Sequence, residues 1–193
     1  MKKEKHFVGL FLDGFTLRKV NEYYRNYHPR KAVIHLARFR EWCFENVLKS
    51  FCLDGNFQTE SHYYHPFENP RLHEGKFQGT LLFEKYVLEA RFQMHYNQPS
   101  PLYLGKPNME LADDIFLLSS YQPFRAVILV TTQGQYVPVL SRLRQMNIPT
   151  LLVGWNFEYP GKGRTVRWRT DEMLQKKCAR YLDATGAVSE IFK

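Results

Sequence analysis

Two short stretches of this chain are apolar at every position: Val8-Gly9-Leu10-Phe11-Leu12 and Ala126-Val127-Ile128-Leu129-Val130. Continuous apolar runs of this length predict strands buried on both faces. Residues 149–153 predict another strand, and residues 57–64 predict one that ends in an aromatic cluster. Between them the apolar positions recur at helical spacing. Leu36, Phe39, Cys43, Val47 and Leu48 line a helix predicted at 35–50, and Tyr136, Val139, Leu140 and Leu143 line one at 134–146. Further helices are predicted at 16–27, 79–95 and 109–120. Pro29 helps end the first of these, and Asp54-Gly55-Asn56 marks a turn. Residues 69–75 read as a loop, and 99–107 as a Pro/Gly-rich connection with a short strand at 102–104.

Strands alternating with helices of this length predict an α/β fold: a mainly parallel central sheet flanked by helices on both faces. After Gly154 the chain changes character. Residues 156–169 are aromatic and basic, with Pro160, Gly161 and Gly163, and predict a hairpin. Residues 171–182 predict a last helix, acidic at its start and carrying Lys176, Lys177 and Arg180 later, as the helix dipole favours.

Composition narrows the function classes. A chain of 193 residues is long enough for one domain with a substantial core. Aromatic residues at 16% argue against disorder. The formal net charge of +8 favours an anionic partner, nucleic acid first, over a merely basic surface. Cys43, Cys52 and Cys178 form no C-x-x-C pair, which suggests reduced thiols in a cytoplasmic protein. The charged start precedes too short an apolar run for a signal peptide, and no apolar segment approaches the roughly 20 residues that span a bilayer. No membrane association is expected.

The candidate chemistry gathers at strand ends. Asp13 follows a fully apolar strand, where a carboxylate can hold a hard cation, although Asp-Gly is also a plain turn signal. Asn108 precedes a helix and is either an N-cap or a site residue. Glu110, Asp113 and Asp114 share one face of that helix, either as a solvated acidic face or as ligands. Thr132, Gln133 and Gln135 occupy a strand-to-helix turn whose backbone N–H groups suit a phosphate. Glutamine amides are poor Mg²⁺ ligands. His62 and His65 form an H-x-x-H pair that lacks two further zinc ligands at a compelling spacing.

Together these segments resemble the NYN domain family, a branch of the PIN-like metal-dependent ribonucleases. Leu10-Phe11-Leu12-Asp13-Gly14-Phe15-Thr16-Leu17 is similar to the family's opening strand and D-G-x-N-L turn. Residues 105–118 resemble its K-G-x-D segment, with a second acidic residue six positions on, and residues 129–138 its S-G-D-x-D-F-x-P turn, with Tyr136 and Pro138 matching in kind and place. The likeness covers roughly residues 7–157. It implies an NYN/PIN-like domain over 1–157, followed by a basic extension over 158–193 whose terminal helix packs on the same domain.

The resemblance implies a site of clustered carboxylates holding one or two divalent ions that activate water. This chain departs from that site. Thr16 stands at the asparagine position, Asn108 at one acidic position, and Gln133 and Gln135 at the two aspartates. A slip in alignment would bring Glu110 in for Asn108. Asp13 and Asp114 alone keep carboxylates and would be the catalytic and metal-binding residues. The expectation is an RNA-binding protein with weakened or lost ribonuclease activity, requiring no cofactor and binding Mg²⁺ or Mn²⁺ weakly at most. Arg142, Arg144, Lys162, Arg164, Arg167 and Arg169 are the expected RNA-binding residues. Two alternatives stand beside it: an active Mg²⁺- or Mn²⁺-dependent ribonuclease using Asp13 and Asp114, and a protein-interaction or homodimerisation module.

Overall fold

Strand β1 (His6–Asp13) lies between β2 (Phe57–His65) and β4 (Phe124–Val130), parallel to both. The computed structural model describes residues 6–66, 77–96, 109–161 and 163–192. Beyond β2 lies β3 (Gln93–Tyr96), and beyond β4 lie β5 (Thr150–Gly154) and β8 (Arg180–Asp183). The six strands run in the order β3-β2-β1-β4-β5-β8, every neighbouring pair parallel. The expected α/β architecture with a parallel sheet is what the chain adopts.

Both faces are covered, which explains why the central strands are apolar throughout. Val8, Leu10 and Leu12 face α1 (Gly14–Asn26), α2 (Leu36–Phe51) and the buried Val87 of α3 (Phe77–Glu89). Phe11, Val127 and Leu129 face α4 (Glu110–Tyr121) and α5 (Val137–Gln145). Gly9 fits this arrangement: a Cβ there would lie 2.7 Å from the Phe11 ring and 2.9 Å from Phe124. The helices of the first half thus cover one face and α4 and α5 the other, while the last residues of the chain, Ile191 and Phe192, return to the first face. The reversal falls between β1 and β4, which makes the carboxyl ends of these two strands the switch point of a doubly wound sheet.

Two expected helices are shorter than their patterns. The helix expected to reach residue 95 stops at Glu89: Arg91 takes a left-handed conformation (φ 62°), Phe92 N–H closes on Val87 O at 3.2 Å, and Gln93–Tyr96 becomes an edge strand. The helix expected to reach 182 is α6 (Glu172–Lys177), and Arg180–Asp183 joins β5 as the opposite edge. Both edge strands have four residues and no fully buried position, so neither shows the apolar run that marks the central strands. The predicted hairpin forms, with β6 (Asn156–Pro160) antiparallel to β7 (Thr165–Arg169). The boundary expected at residue 157 falls inside β6. Residues beyond it supply the sixth strand and α7 (Val188–Ile191), and Ile191 and Phe192 are buried in the core. The predicted loop at 69–75 and short strand at 102–104 lie outside the described residues. Among the described residues, no helix is long and apolar enough to cross a membrane.

Candidate functional site

Asp13 ends β1 at the switch point, and its side chain has no exposure to solvent. It caps α1: Oδ1 accepts from Phe15 N–H at 3.0 Å. Oδ2 accepts from the Thr16 hydroxyl at 2.8 Å and from the Thr131 hydroxyl at 3.0 Å. Thr16 Oγ1 in turn accepts from Thr132 N–H at 3.2 Å, so the carboxylate stitches the ends of β1 and β4 together. Burial pushes the Asp13 carboxyl up to about 6, against the lowering effect of its Thr16 and Thr131 hydrogen bonds. All of its donors are neutral.

The two glutamines diverge. Gln133 stays at the site, with its N–H on Thr131 Oγ1 at 3.1 Å and its amide on Thr132 Oγ1 at 3.1 Å. Gln135 reaches away to the Met109 sulfur at 3.8 Å. Between them, Gly134 sits against Asp171, a carboxylate whose place in the sequence marks only the start of a helix. Asp171 caps α6 through Met173 and Leu174 N–H, and its own N–H donates to Thr132 O at 3.1 Å. Its approach to the switch point comes from the return of the chain after the hairpin, which no local pattern announces.

Asp114 reaches the same edge from α4. Its Oδ2 accepts from Tyr64 OH at 2.9 Å and lies 3.2 Å from His95 Nδ1. Tyr64 is the register partner of Asp13 across β1 and β2. Tyr136 is fully buried near both: Asp13 and Tyr64 add to the burial that raises its phenol above the ordinary range. The Tyr64 phenol thus links the two, beside Asp13 in the sheet and bonded to Asp114, with Glu110 also close enough to raise it.

A hard cation needs several oxygen ligands, at least one or two of them carboxylate. Both Asp13 oxygens are committed and closed from water, while Asp114 is held by a phenol and an imidazole. Among the described residues, no group of three or more His, Cys, Asp or Glu side chains is arranged to hold an ion. The described side chains do not fit a divalent metal centre. Asn108, expected at this site, lies outside the described residues.

The histidines form a chain that the sequence did not announce. His62 and His65 are three positions apart on a strand and so face opposite sides. His62 stacks on Phe11 (centroids 5.0 Å apart), and its Nδ1 lies 3.0 Å from His95 Nε2 on the neighbouring strand. His95 Nδ1 faces the Asp114 carboxylate and its Nε2 faces His62 Nδ1, a pairing whose donor depends on the tautomer. Among the described residues His62 Nε2 is buried without a hydrogen-bond partner, 3.7 Å from Glu60 Oε2. Burial, and then His95, push His62 down to about 4.

The expected basic surface is divided. Arg142 and Arg144 belong to the last turn of α5, and Arg144 lines a cleft with Pro149 and Thr150 at the amino end of β5. Arg164, Arg167 and Arg169 follow the carboxyl end of that strand, on the hairpin. Arg167 and Arg169 share Glu158 at 3.2 and 2.9 Å. Lys162 lies outside the described residues. Two further arginines, Arg18 and Arg25, line a cleft of about 460 Å³ on α1.

The fold and this edge define a doubly wound α/β protein whose crevice is closed by threonine hydroxyls and phenols around one buried carboxylate. No family model and no curated protein matches the chain. A solved structure does: a protein of unknown function from Vibrio parahaemolyticus, 12% identical, with a TM-score of 0.63 over 100% of this chain and 99% of that one. At that identity the likeness shows a shared fold over the whole chain.

Proposed function

We propose that this is a cytoplasmic RNA-binding protein of NYN/PIN-like type with weakened or lost metal-dependent ribonuclease activity. The observation that carries the reading is Asp13: both of its oxygens are held by neutral donors in a dry pocket, where chemistry on a phosphate would need an open, metal-loaded carboxylate. Neutral residues at Gln133 and Gln135 remove negative charge that would repel a phosphate backbone. The surplus of +8 and the hairpin arginines Arg164, Arg167 and Arg169 provide attraction near the same edge. Three free thiols accord with a reducing compartment.

The test is a pair of assays on the full chain. Binding to a generic RNA without metal should weaken steeply as salt rises. Incubation with Mg²⁺ or Mn²⁺ should leave that RNA intact. Robust cleavage that disappears in Asp13→Ala would overturn the reading in favour of an active nuclease, and salt-independent or undetectable binding would overturn its RNA half.

A further inference from the structure

We infer that the cleft at the amino end of β5 binds a phosphomonoester, held between Arg144 and Lys177 over the Thr150 hydroxyl. The cleft lies at the opposite end of the sheet from Asp13 and the hairpin, and the assignment does not depend on RNA binding there.

Two helices end at this cleft. α5 closes with Asn147 in a left-handed conformation (φ 56°), and Ile148 N–H returns to Leu143 O at 2.9 Å. α6 closes with Cys178 N–H on Leu174 O at 3.0 Å, and Ala179 N–H then donates to Thr150 O at 3.1 Å. These bonds pin the last turns of both helices to the start of β5, with Arg144 in one turn and Lys177 in the other. Both side chains are exposed and line the cleft, and neither makes an ion pair among the described residues. Among the described residues, no acidic side chain lines it. Cations in a last turn commonly answer the helix dipole alone. Each helix end supplies about half a negative charge, so two cations against two ends leave a surplus of about one positive charge. The final carbonyls are already bonded as well: Arg144 O accepts from Asn147 N–H at 3.1 Å, and Gln175 O from the Cys178 thiol at 3.2 Å. Burial raises the Cys178 thiol, so it stays protonated and no thiolate neutralises the pair.

The floor supplies a third donor. Thr150 is 3% exposed and shares the α5 side of β5 with Leu152. It lines the cleft, and its hydroxyl has no hydrogen-bond partner among the described residues. A buried hydroxyl is destabilising until a ligand or water satisfies it. A guanidinium fork, an ammonium and a hydroxyl around one opening match the several oxygens of a phosphate. The cleft measures about 460 Å³, the size of a small-molecule site and more than a bare phosphate fills. Leu140, Ile148 and Pro149 line the remainder with carbon. A phosphate ester uses both parts, its charged head on the cations and its organic body on the apolar wall. A free nucleotide and the 5′ end of an RNA share that chemistry.

The test titrates the full-length protein with adenosine 5′-monophosphate and with adenosine, by calorimetry at low salt. The monophosphate should bind and adenosine should not. Arg144→Ala and Lys177→Ala should each weaken the monophosphate about tenfold, the effect of losing one charge-assisted hydrogen bond. Both side chains are exposed, so melting temperatures should stay near that of the wild type. Lys176→Ala removes the same charge from a side chain engaged by Glu172 at 3.7 Å and should change binding little. Thr150→Val should weaken binding by a smaller factor, and Thr150→Ser, which keeps the hydroxyl, should restore it. Oligouridylates with and without a 5′-phosphate separate the two sources. A preference for the phosphorylated strand that Arg144→Ala removes assigns the cleft to an RNA end. Equal binding of the two strands, beside firm binding of the monophosphate, assigns it to a free nucleotide. Adenosine binding as well as its monophosphate would overturn the proposal, as would losses no larger in Arg144→Ala than in Lys176→Ala. Failure of every phosphate ester to bind would also overturn it and would leave salt-sensitive RNA binding at the hairpin standing.

Discussion

Asp13 and Asp114 approach the same edge of the sheet from different elements, and their surroundings have little in common. Asp13 is sealed, and its partners are short: a backbone amide and two threonine hydroxyls. Asp114 is about one-third exposed and ends a line of larger groups, Tyr64 on one side and His95 with His62 behind it on the other. The difference separates two uses of a carboxylate. One locks two strand ends and a helix start in place, while the other adjoins a histidine pair whose far nitrogen has no hydrogen-bond partner among the described residues. A nuclease site needs its carboxylates pooled on one ion. Here each is committed to its own network.

The comparison breaks first at Asp13. Asp13→Ala removes a helix cap and strands the donors of Phe15, Thr16 and Thr131 in a dry site. The expected loss is about 3 kcal/mol of unfolding free energy, read from urea denaturation. Asp13→Asn keeps an acceptor and removes the buried charge, so it should lose far less. Equal losses in the two variants would show that the charge itself holds the strand ends together.

Acid titration sharpens the contrast, because the two networks respond with opposite sign. The folded pKa of Asp13 lies above its unfolded value, so its contribution is full below pH 3.8 and is lost as pH rises through about 6. The folded pKa of His62 lies below its unfolded value, so its contribution is present above pH 6.5 and is lost as pH falls through about 4. Each is on the order of 3 kcal/mol. Melting temperature against pH should therefore fall more steeply into acid for Asp13→Asn than for wild type, and less steeply for His62→Gln. Parallel curves for all three proteins would refute the assignment.

A smaller effect is expected at Gly134, where an added Cβ would lie 2.5 Å from Asp171 Oδ2. Gly134→Ala should cost about 1 kcal/mol by disturbing the cap of α6, measured by thermal unfolding. The smallest concerns the glutamines. Gln133→Asp adds a carboxylate beside the threonines and should raise Mn²⁺ affinity measurably in calorimetry. Gln135→Asp alone, directed toward Met109, should change it little. A larger gain from Gln135→Asp would mean that the turn rearranges.

Much of the fold is legible along the chain because short, mostly apolar runs alternating with helix-length amphipathic segments are what a covered parallel sheet produces. That logic located β1, β4 and β5 and the placing of Asp13 at a strand end. It failed at β3 and β8, whose four residues each carry too little apolar signal to stand out from a neighbouring helix pattern. In the site, Asp13, Asp114 and Gln133 could be picked out one by one. Asp171 could not, since its proximity to Gly134 depends on where a hairpin returns the chain.

By itself, the sequence determined the strand and helix alternation, the basic surplus and the scarcity of carboxylates at the strand ends. These properties are local or additive, and neighbouring residues or simple composition express them. Tertiary structure decided the rest: that Thr131 and Thr16 meet on Asp13 from 115 positions apart, that His95 reaches His62 from the next strand, and that Arg142 and Arg164 belong to different edges. Such pairings depend on strand order and helix direction, which the sheet fixes only when all its strands pack together.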